Sequence, residues 1–215
     1  MSKQCVVGTW PFSKEPARVA LGALLKGRSA TDAVEAGINV AEEDWSYGPY
    51  HVGCGGWRNL AGELQLDAAI MDGRDLSFGA VTALSGHPRA ISVAKRVLTH
   101  SRHSMLSGAG ASAFAVEHGF KSQQGLGRDK IVYVVLHLEF TLPIQLNFSP
   151  LGVSTSGAAN KQPGRVGDSA LPGAGLYADS EIGAACCSGD GDEILKHCPS
   201  YRVVGYIRQG FSPHE

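Results

Sequence analysis

Residues that could bind an amino-acid headgroup lie close together in a glycine-rich stretch between positions 160 and 179. Arg165 precedes Asp168 by three residues, and Gly164 and Gly167 stand beside them. A guanidinium group binds a carboxylate through two parallel hydrogen bonds, an aspartate carboxylate can accept from an ammonium group, and glycine lets the backbone approach a ligand closely. The stretch is therefore a candidate clamp for an amino acid. Taken alone, it also fits a structural turn with a surface ion pair.

The elements that must position this stretch alternate between helix and strand. Hydrophobic spacing predicts helices over residues 17–26, 31–42, 88–100, 112–118 and 201–210, and strands over residues 4–9, 67–71 and 78–83. Ser29 and Asp32 resemble a capping box at the start of the second helix. The last two strands are predicted to form a hairpin around Asp72 and Gly73. Periodicity alone supports only α and β segments in alternation.

The composition is that of a globular protein. Of the 215 residues, 43% are hydrophobic, 18% are charged and 28 are glycine, so the chain can form a substantial core with tight turns. The formal net charge is −1 and no basic patch stands out, which argues against nucleic-acid binding. The five cysteines lack the paired spacing of a zinc site, so no metal is predicted, and no cofactor is expected.

Neither a membrane span nor a secretory signal is predicted. The apolar run over residues 131–148 is interrupted by His137, Glu139 and Pro143, whereas a span needs about 20 mostly apolar residues. The first four residues lead directly into the predicted strand, without the apolar region of a signal peptide. The sequence therefore leaves the compartment unassigned.

Five motifs, in order along the chain, resemble the glycosylasparaginase (aspartylglucosaminidase) family of N-terminal-nucleophile hydrolases, within the type 2 asparaginase superfamily. They lie at residues 9–12, 66–73, 79–81, 152–157 and 187–192, and the last two flank the stretch over residues 160–179. The resemblance covers residues 6–119 and 129–210 of a single domain spanning 1–215. It implies a layered α/β fold, the four-layer αββα sandwich. It also implies hydrolysis of the amide bond between asparagine and N-acetylglucosamine in glycoprotein breakdown.

Further expectations follow from the same resemblance. The substrate is a small molecule, a glycosylasparagine or an aspartate-like ligand, and family members are oligomeric. In animals the family is lysosomal, although this chain shows no signal peptide. No nucleic-acid or membrane partner is implied.

Several site residues follow from their places in these motifs. Arg165 and Asp168 match the pair that grips the α-carboxylate and α-amino group of the substrate. Thr155 matches a threonine whose hydroxyl lies beside the nucleophile. Trp10 matches a substrate-binding tryptophan, although a tryptophan beside a proline is more often a packing residue. Without the flanking motifs, Thr155 would be interpreted as a hydroxyl that caps a turn.

The predicted oxyanion hole and the pocket entrance show substitutions. Ser188 stands where the family usually has threonine, and its hydroxyl with the Gly189 N–H would hold the oxyanion. Outside this context, Ser188 would be interpreted as the N-cap of a short helix that begins near Asp192. Trp57 follows two glycines where the family usually has serine. It removes a hydroxyl and adds bulk near the pocket entrance.

The largest departure from the family is at the nucleophile. In the family, a precursor cleaves itself before the threonine of a His-Asp-Thr motif, and that threonine then attacks substrate with its own α-amine as base. The matching segment here reads Arg128, Asp129, Lys130. The ε-amine of Lys130 is protonated at neutral pH and cannot replace the hydroxyl. The sequence therefore predicts neither self-cleavage nor hydrolysis by the family mechanism.

Three further departures predict an incomplete sandwich. The linker over residues 120–129 is shorter than in the family, residues 138–150 form an atypical insertion, and the chain stops at Glu215 where the family continues into closing strands. Pro143 cannot donate to a strand ladder, so it disfavours a continuous strand in the insertion. A splice variant or a misread exon would account for all three departures.

Three functions remain open at this point. The chain is a glycosylasparaginase-type hydrolase, or a non-catalytic homologue that binds aspartate-like ligands or a partner subunit. Position 130 discriminates between these two. An asparaginase or isoaspartyl peptidase is the third alternative, and residues 9–12 disfavour it.

Overall fold

A computed structural model describes residues 4–128 and 150–212 of the chain. Its α-helices are α1 (Lys14–Leu25), α2 (Ala30–Glu43), α3 (Ala90–His100), α4 (Gly108–Glu117), α5 (Gly191–His197) and α6 (Pro199–Arg208). Its strands are β1 (Gln65–Asp72), β2 (Phe78–Ser85), β3 (Met105–Ser107), β4 (Pro150–Thr155), β5 (Leu176–Asp179) and β6 (Gly183–Cys186). Two short 3₁₀ helices cover Pro11–Ser13 and Trp45–Tyr50.

Strand β1 lies inside a four-stranded sheet of order β3-β2-β1-β4. It pairs antiparallel with β2 and β4, and β2 pairs parallel with β3. All eight residues of β1 are buried, so both faces of the sheet are covered. Strands β5 and β6 form a second, two-stranded antiparallel sheet.

Alternate residues of β1 enter two different cores. Leu66 and Ile70 join the cluster that contains Ile91 and Val97 of α3, whereas Ala69 and Met71 join the cluster that contains residues of β5 and β6. Helix α6 contacts β5 and β6. The layers therefore run helix, sheet, sheet, helix, which confirms the predicted layered α/β class and fits the αββα sandwich.

Local sequence signals agree well with the observed elements. Ser29 caps α2, because its Oγ accepts from the Asp32 N–H at 3.1 Å. The hairpin is confirmed: β1 and β2 pair antiparallel and the chain turns between Asp72 and Phe78. The five predicted helices are present with shifted ends, and α6 begins two residues early because proline fits the first helical turn.

The strand predicted over residues 4–9 is wrong. This segment has no regular secondary structure, and Val7 is 45% exposed. A strand needs a neighbour to satisfy its backbone groups, and the described residues supply none for this segment. Asp129, Lys130 and residues 138–149 of the predicted insertion lie outside the described residues, whereas Pro150 starts β4 opposite Asp72.

Within the described part of the chain, no helix has the length and apolar character that a membrane crossing requires.

Candidate active site

The candidate clamp loop is attached to β1 on both sides of Arg165. Upstream, the Gly164 N–H donates to Gln65 Oε1 at 2.8 Å. Downstream, the Gly167 N–H lies 3.4 Å from Asp67 Oδ2. Because both acceptors lie on a buried central strand, the backbone around Arg165 is held in a fixed position.

A buried pair of opposite charges lies behind this loop. Lys161 is 5% exposed and Asp67 is 0% exposed. Burial raises the pKa of Asp67, and the charge of Lys161 opposes that rise; burial lowers the pKa of Lys161, and the charge of Asp67 opposes that fall. The Lys161 Nζ also donates to the Gln65 carbonyl at 2.8 Å. Two buried groups of opposite charge therefore act on each other and on Arg165.

Arg165 and Asp168 meet on one side of Gly191. A Cβ atom added at Gly191 would lie 2.7 Å from Asp168 Oδ1 and 3.1 Å from Arg165 Nη2. The Arg165 Nε donates to Asp192 Oδ1 at 3.2 Å. The structure therefore brings the two predicted clamp residues together, with room that only glycine at 191 leaves.

The carboxylate of Asp168 has an unused acceptor. The Oδ2 atom is buried and has no hydrogen-bond partner among the described residues. Burial raises the pKa of Asp168 to about 6, so most of the carboxylate is ionised at neutral pH. A buried acceptor without a partner is costly, and a ligand ammonium group would satisfy it.

Thr155 ends β4 directly opposite Asp67. Its Oγ1 donates to the His51 carbonyl at 3.0 Å and accepts from the Gly157 N–H at 2.9 Å. The interpretation as a turn cap is therefore confirmed. A Cβ atom at Gly157 would lie 3.0 Å from Arg165 Nη1, so this turn borders the guanidinium group. The role of Thr155 beside a nucleophile stays a prediction.

Trp10 and Ser188 are in direct contact although they are 178 residues apart. The Trp10 Nε1–H donates to Ser188 Oγ at 3.0 Å. The interpretation of Ser188 as a helix N-cap is wrong: Asp190 caps α5 by accepting from the backbone N–H groups of its first turn. Gly189 is exposed between them. An aspartate two residues downstream competes successfully for the cap and leaves the serine hydroxyl for Trp10.

The loop before Trp57 packs tightly against the turn after β4. A Cβ atom at Gly56 would lie 2.3 Å from Ser156 Oγ. Arg128, the last described residue before position 130, donates from Nε to the Gly55 carbonyl and from Nη2 to the Trp45 carbonyl, both at 2.6 Å. Trp57 lies beside this anchored segment and forms an isolated bridge with Arg128.

Several residues that contact the candidate active site were not predicted from the sequence. Gly191 and Asp192 belong to the motif that contains Ser188, and their position at the start of a helix was the signal available. Gln65 and Lys161 gave no chemical signal of their own, since an isolated glutamine or lysine is usually exposed. His51 contributes a backbone carbonyl, which any residue type could supply.

The Arg165 guanidinium and the buried Asp168 carboxylate, whose Oδ2 has no hydrogen-bond partner among the described residues, lie beside Gly191 on a layered α/β scaffold. Among the described residues, no cluster of histidine, cysteine and acidic side chains is arranged to hold a metal ion. The sequence model of a family described as asparaginase matches residues 9–128 and 147–215. The chain belongs to that family.

Curated relatives carry two kinds of name. The mouse N(4)-(beta-N-acetylglucosaminyl)-L-asparaginase is 37% identical, with 97% of this chain and 73% of the relative covered. The protein of the same name from Elizabethkingia miricola is 36% identical, with 100% and 67% covered. The bovine isoaspartyl peptidase/L-asparaginase is 35% identical, with 93% and 70% covered. Sequence identity to this chain is therefore nearly the same for relatives with either kind of name.

The segment around position 130 falls outside the residues that the family model matches. The family model leaves residues 129–146 unmatched, and Lys130 falls within them. The match to the mouse protein extends over 256 residues, more than the 215 of this chain. The relative therefore contains residues inside the matched region that this chain lacks. Lys130 as the occupant of the nucleophile position stays a prediction.

Proposed function

We propose that this chain is a glycosylasparaginase-type protein that binds aspartate-like headgroups and has lost the family hydrolysis. The observation that carries the binding function is the buried carboxylate of Asp168: its Oδ1 lies with Arg165 Nη2 beside Gly191, and its Oδ2 has no hydrogen-bond partner among the described residues. The loss of hydrolysis rests on the sequence, in which Lys130 stands where a threonine nucleophile is expected.

The two halves of the headgroup have separate partners in this proposal. The Arg165 Nε is engaged by Asp192, while its Nη1 and Nη2 have no hydrogen-bond partner among the described residues. They lie beside Gly157 and Gly191, and in this proposal they bind the α-carboxylate. Asp168 accepts from the α-ammonium group. Each contact joins opposite charges, so the pair selects a free amino acid over a peptide-bonded one.

The group attached to the aspartyl side chain is less constrained. The mouse relative is named for N-acetylglucosaminyl-asparagine and the bovine relative for isoaspartyl peptides and asparagine. The clamp contacts only the aspartyl part that these compounds share. Residues 9–12 favour the glycosylasparagine. Because the bovine relative is named isoaspartyl peptidase/L-asparaginase, asparagine or an isoaspartyl peptide is the second candidate ligand.

Aspartate binding is expected to depend on Arg165. We expect the folded chain to bind L-aspartate weakly and the Arg165→Ala variant to bind it at least about tenfold more weakly, since hydrogen bonds to charged groups contribute about 1.5–3 kcal/mol. Isothermal calorimetry measures both affinities. Arg74→Ala is the matched control, because Arg74 forms a surface ion pair with Asp72 and its side chain is 67% exposed. Equal affinities for the Arg165→Ala and unmodified chains would contradict the clamp.

The expressed chain is expected to remain a single polypeptide. Self-cleavage in the family needs a hydroxyl or thiol next to the scissile bond, and Lys130 supplies neither. Intact mass spectrometry and a denaturing gel should therefore show one species. Two fragments, the second beginning at residue 130, would show that the family processing survives and that the chain retains a working nucleophile.

A further inference from the structure

Lys161 carries a charge that is buried behind the candidate clamp loop. The residue is 5% exposed, and its Nζ donates to the Gln65 carbonyl at 2.8 Å. An ammonium group has three protons to donate, and this is the single hydrogen bond that the Nζ makes among the described residues. A neutral donor could make that bond without the cost of burying a charge. The charge of Lys161 therefore has a reason other than the hydrogen bond.

Asp67 is the buried group of opposite charge. It is 0% exposed on β1, where its Oδ1 accepts from the Ala83 N–H at 2.8 Å. Burial raises the pKa of Asp67, and the charge of Lys161 is the largest of the effects that oppose this rise. Lys161 therefore favours the ionised form of a carboxyl group that has no access to water.

The Arg165 guanidinium lies near both buried charges. Arg165 Nη1 and Lys161 Nζ lie 3.0 and 3.1 Å from the point that a Cβ atom of Gly157 would occupy, so the two nitrogens are at most about 6 Å apart. Gly167 connects Arg165 to Asp67, because its N–H lies 3.4 Å from Asp67 Oδ2 and its Cβ would lie 2.8 Å from Arg165 Nη1. Asp67 therefore attracts the guanidinium inward, and Lys161 repels it.

The contact that holds Arg165 from outside is the weaker one. Arg165 Nε donates to Asp192 Oδ1 at 3.2 Å, and the side chain of Asp192 is 64% exposed. An ion pair in contact with water is screened and contributes little. Without Lys161, the unscreened charge of Asp67 would attract the guanidinium more strongly than Asp192 does. Arg165 would then turn inward, away from Asp168.

We infer that Lys161 is a positioning residue whose buried charge offsets that of Asp67 and so keeps Arg165 turned toward the α-carboxylate of the ligand. Lys161 does not itself hold the ligand, since it is buried and its Nζ donates to the Gln65 carbonyl. The inference rests on the proposed function for the ligand. The orientation of Arg165, however, can be measured in the ligand-free chain.

Two substitutions separate the charge of Lys161 from its hydrogen bond. Lys161→Met removes both, whereas Lys161→Gln removes the charge and keeps an N–H donor for the Gln65 carbonyl. Each should weaken L-aspartate binding about three- to tenfold, the range of one hydrogen bond to the ligand. Affinities are measured by ¹H–¹⁵N NMR titration, in which the spectrum also reports whether each variant is folded. Lys95→Met is the matched control, because Lys95 is a partly buried lysine that pairs with Asp32 and Glu35 and should not affect aspartate binding.

Removing the opposing charge as well should restore binding. Asp67→Asn keeps an oxygen for the Ala83 N–H and removes the charge that attracts Arg165. The variant that combines Lys161→Met with Asp67→Asn should therefore bind aspartate within about twofold of the unmodified chain. Replacing both members of a buried charge pair is tolerated better than replacing one, so this double variant also decides if the single variants at position 161 do not fold.

The Nε–Hε resonance of Arg165 reports the orientation of the guanidinium without any ligand. It is assigned by its absence from the spectrum of Arg165→Ala. The resonance should shift in both variants at position 161, return in the double variant and stay in place in Lys95→Met. If the unmodified chain does not bind aspartate, the proposed function fails, and this resonance still tests the role of Lys161.

Three outcomes would overturn the inference. If Lys161→Gln binds aspartate like the unmodified chain, the hydrogen bond matters and the charge does not. If the folded double variant binds aspartate at least about tenfold more weakly than the unmodified chain, the two changes do not compensate each other. If the Arg165 resonance stays in place in a folded variant at position 161, Lys161 does not position the guanidinium.

Discussion

Replacing Gly191 by alanine is expected to abolish measurable aspartate binding while the chain stays folded. The added methyl group would lie 2.7 Å from Asp168 Oδ1 and 3.1 Å from Arg165 Nη2, so both charged groups must move. The methyl group would also lie 3.2 Å from the Asp168 backbone nitrogen, so the loop must shift slightly, while alanine is favoured over glycine within α5 and the chain should stay folded. Losing a charge-assisted contact to the ligand lowers affinity by about tenfold to a hundredfold.

The control for this change is Gly205→Ala. Gly205 lies within α6, and nothing would come within 4 Å of a Cβ atom placed there. This variant should bind aspartate as the unmodified chain does and unfold at the same or a slightly higher temperature. Calorimetry and thermal unfolding are measured on both variants. Aspartate affinity within twofold of the unmodified chain in Gly191→Ala would place the headgroup somewhere other than beside Gly191.

Glu42→Gln is expected to increase the free energy of unfolding at neutral and alkaline pH. Glu42 is fully buried at the end of α2, and its Oε1 accepts from the Ile91 N–H at 2.9 Å and from Ser154 Oγ at 2.5 Å. Burial raises its pKa to about 8, from 4.5 when unperturbed. The folded chain therefore holds a neutral carboxyl group that an unfolded chain would ionise.

The pH range follows from the direction of that shift. Because the pKa is higher in the folded state, the stabilising effect of the bound proton is complete below pH 4.5 and is lost as the pH rises to about 8. Glutamine is neutral throughout. The variant should match the unmodified chain near pH 4.5 and exceed it at pH 8 and above, by an amount on the order of 4 kcal/mol.

Urea unfolding at several pH values measures this difference. Glu43→Gln is the control, because Glu43 is the next residue, is exposed, and should shift the unfolding free energy by less than about 0.5 kcal/mol at every pH. A pH-independent difference for Glu42→Gln would mean that Glu42 is ionised in the folded chain. Ser154, which donates to Glu42, precedes Thr155 on β4.

Structural features that depend on interactions within a few residues could be predicted from the sequence. The Ser29 cap of α2 and the β1–β2 hairpin turn after Asp72 could both be predicted, because each depends only on neighbouring backbone groups. The proximity of Arg165 and Asp168 could be predicted for the same reason, since the two residues share one glycine-rich loop. The strand predicted over residues 4–9 was wrong because a strand depends on a partner that may be distant or absent.

The amino-acid sequence by itself determined the residue types of the clamp, the family resemblance, the lysine at position 130 and most helices. Only the tertiary structure decided which distant residues contact the candidate site residues. Gln65 and Gly164 are 99 residues apart, and Trp10 and Ser188 are 178 apart. Such pairs come into contact only after the sheets stack. The folded arrangement that brings them together is stabilised by burial of apolar surface across the whole domain. No local pattern records that Asp190, and not Ser188, caps α5 and thereby leaves one hydroxyl for Trp10.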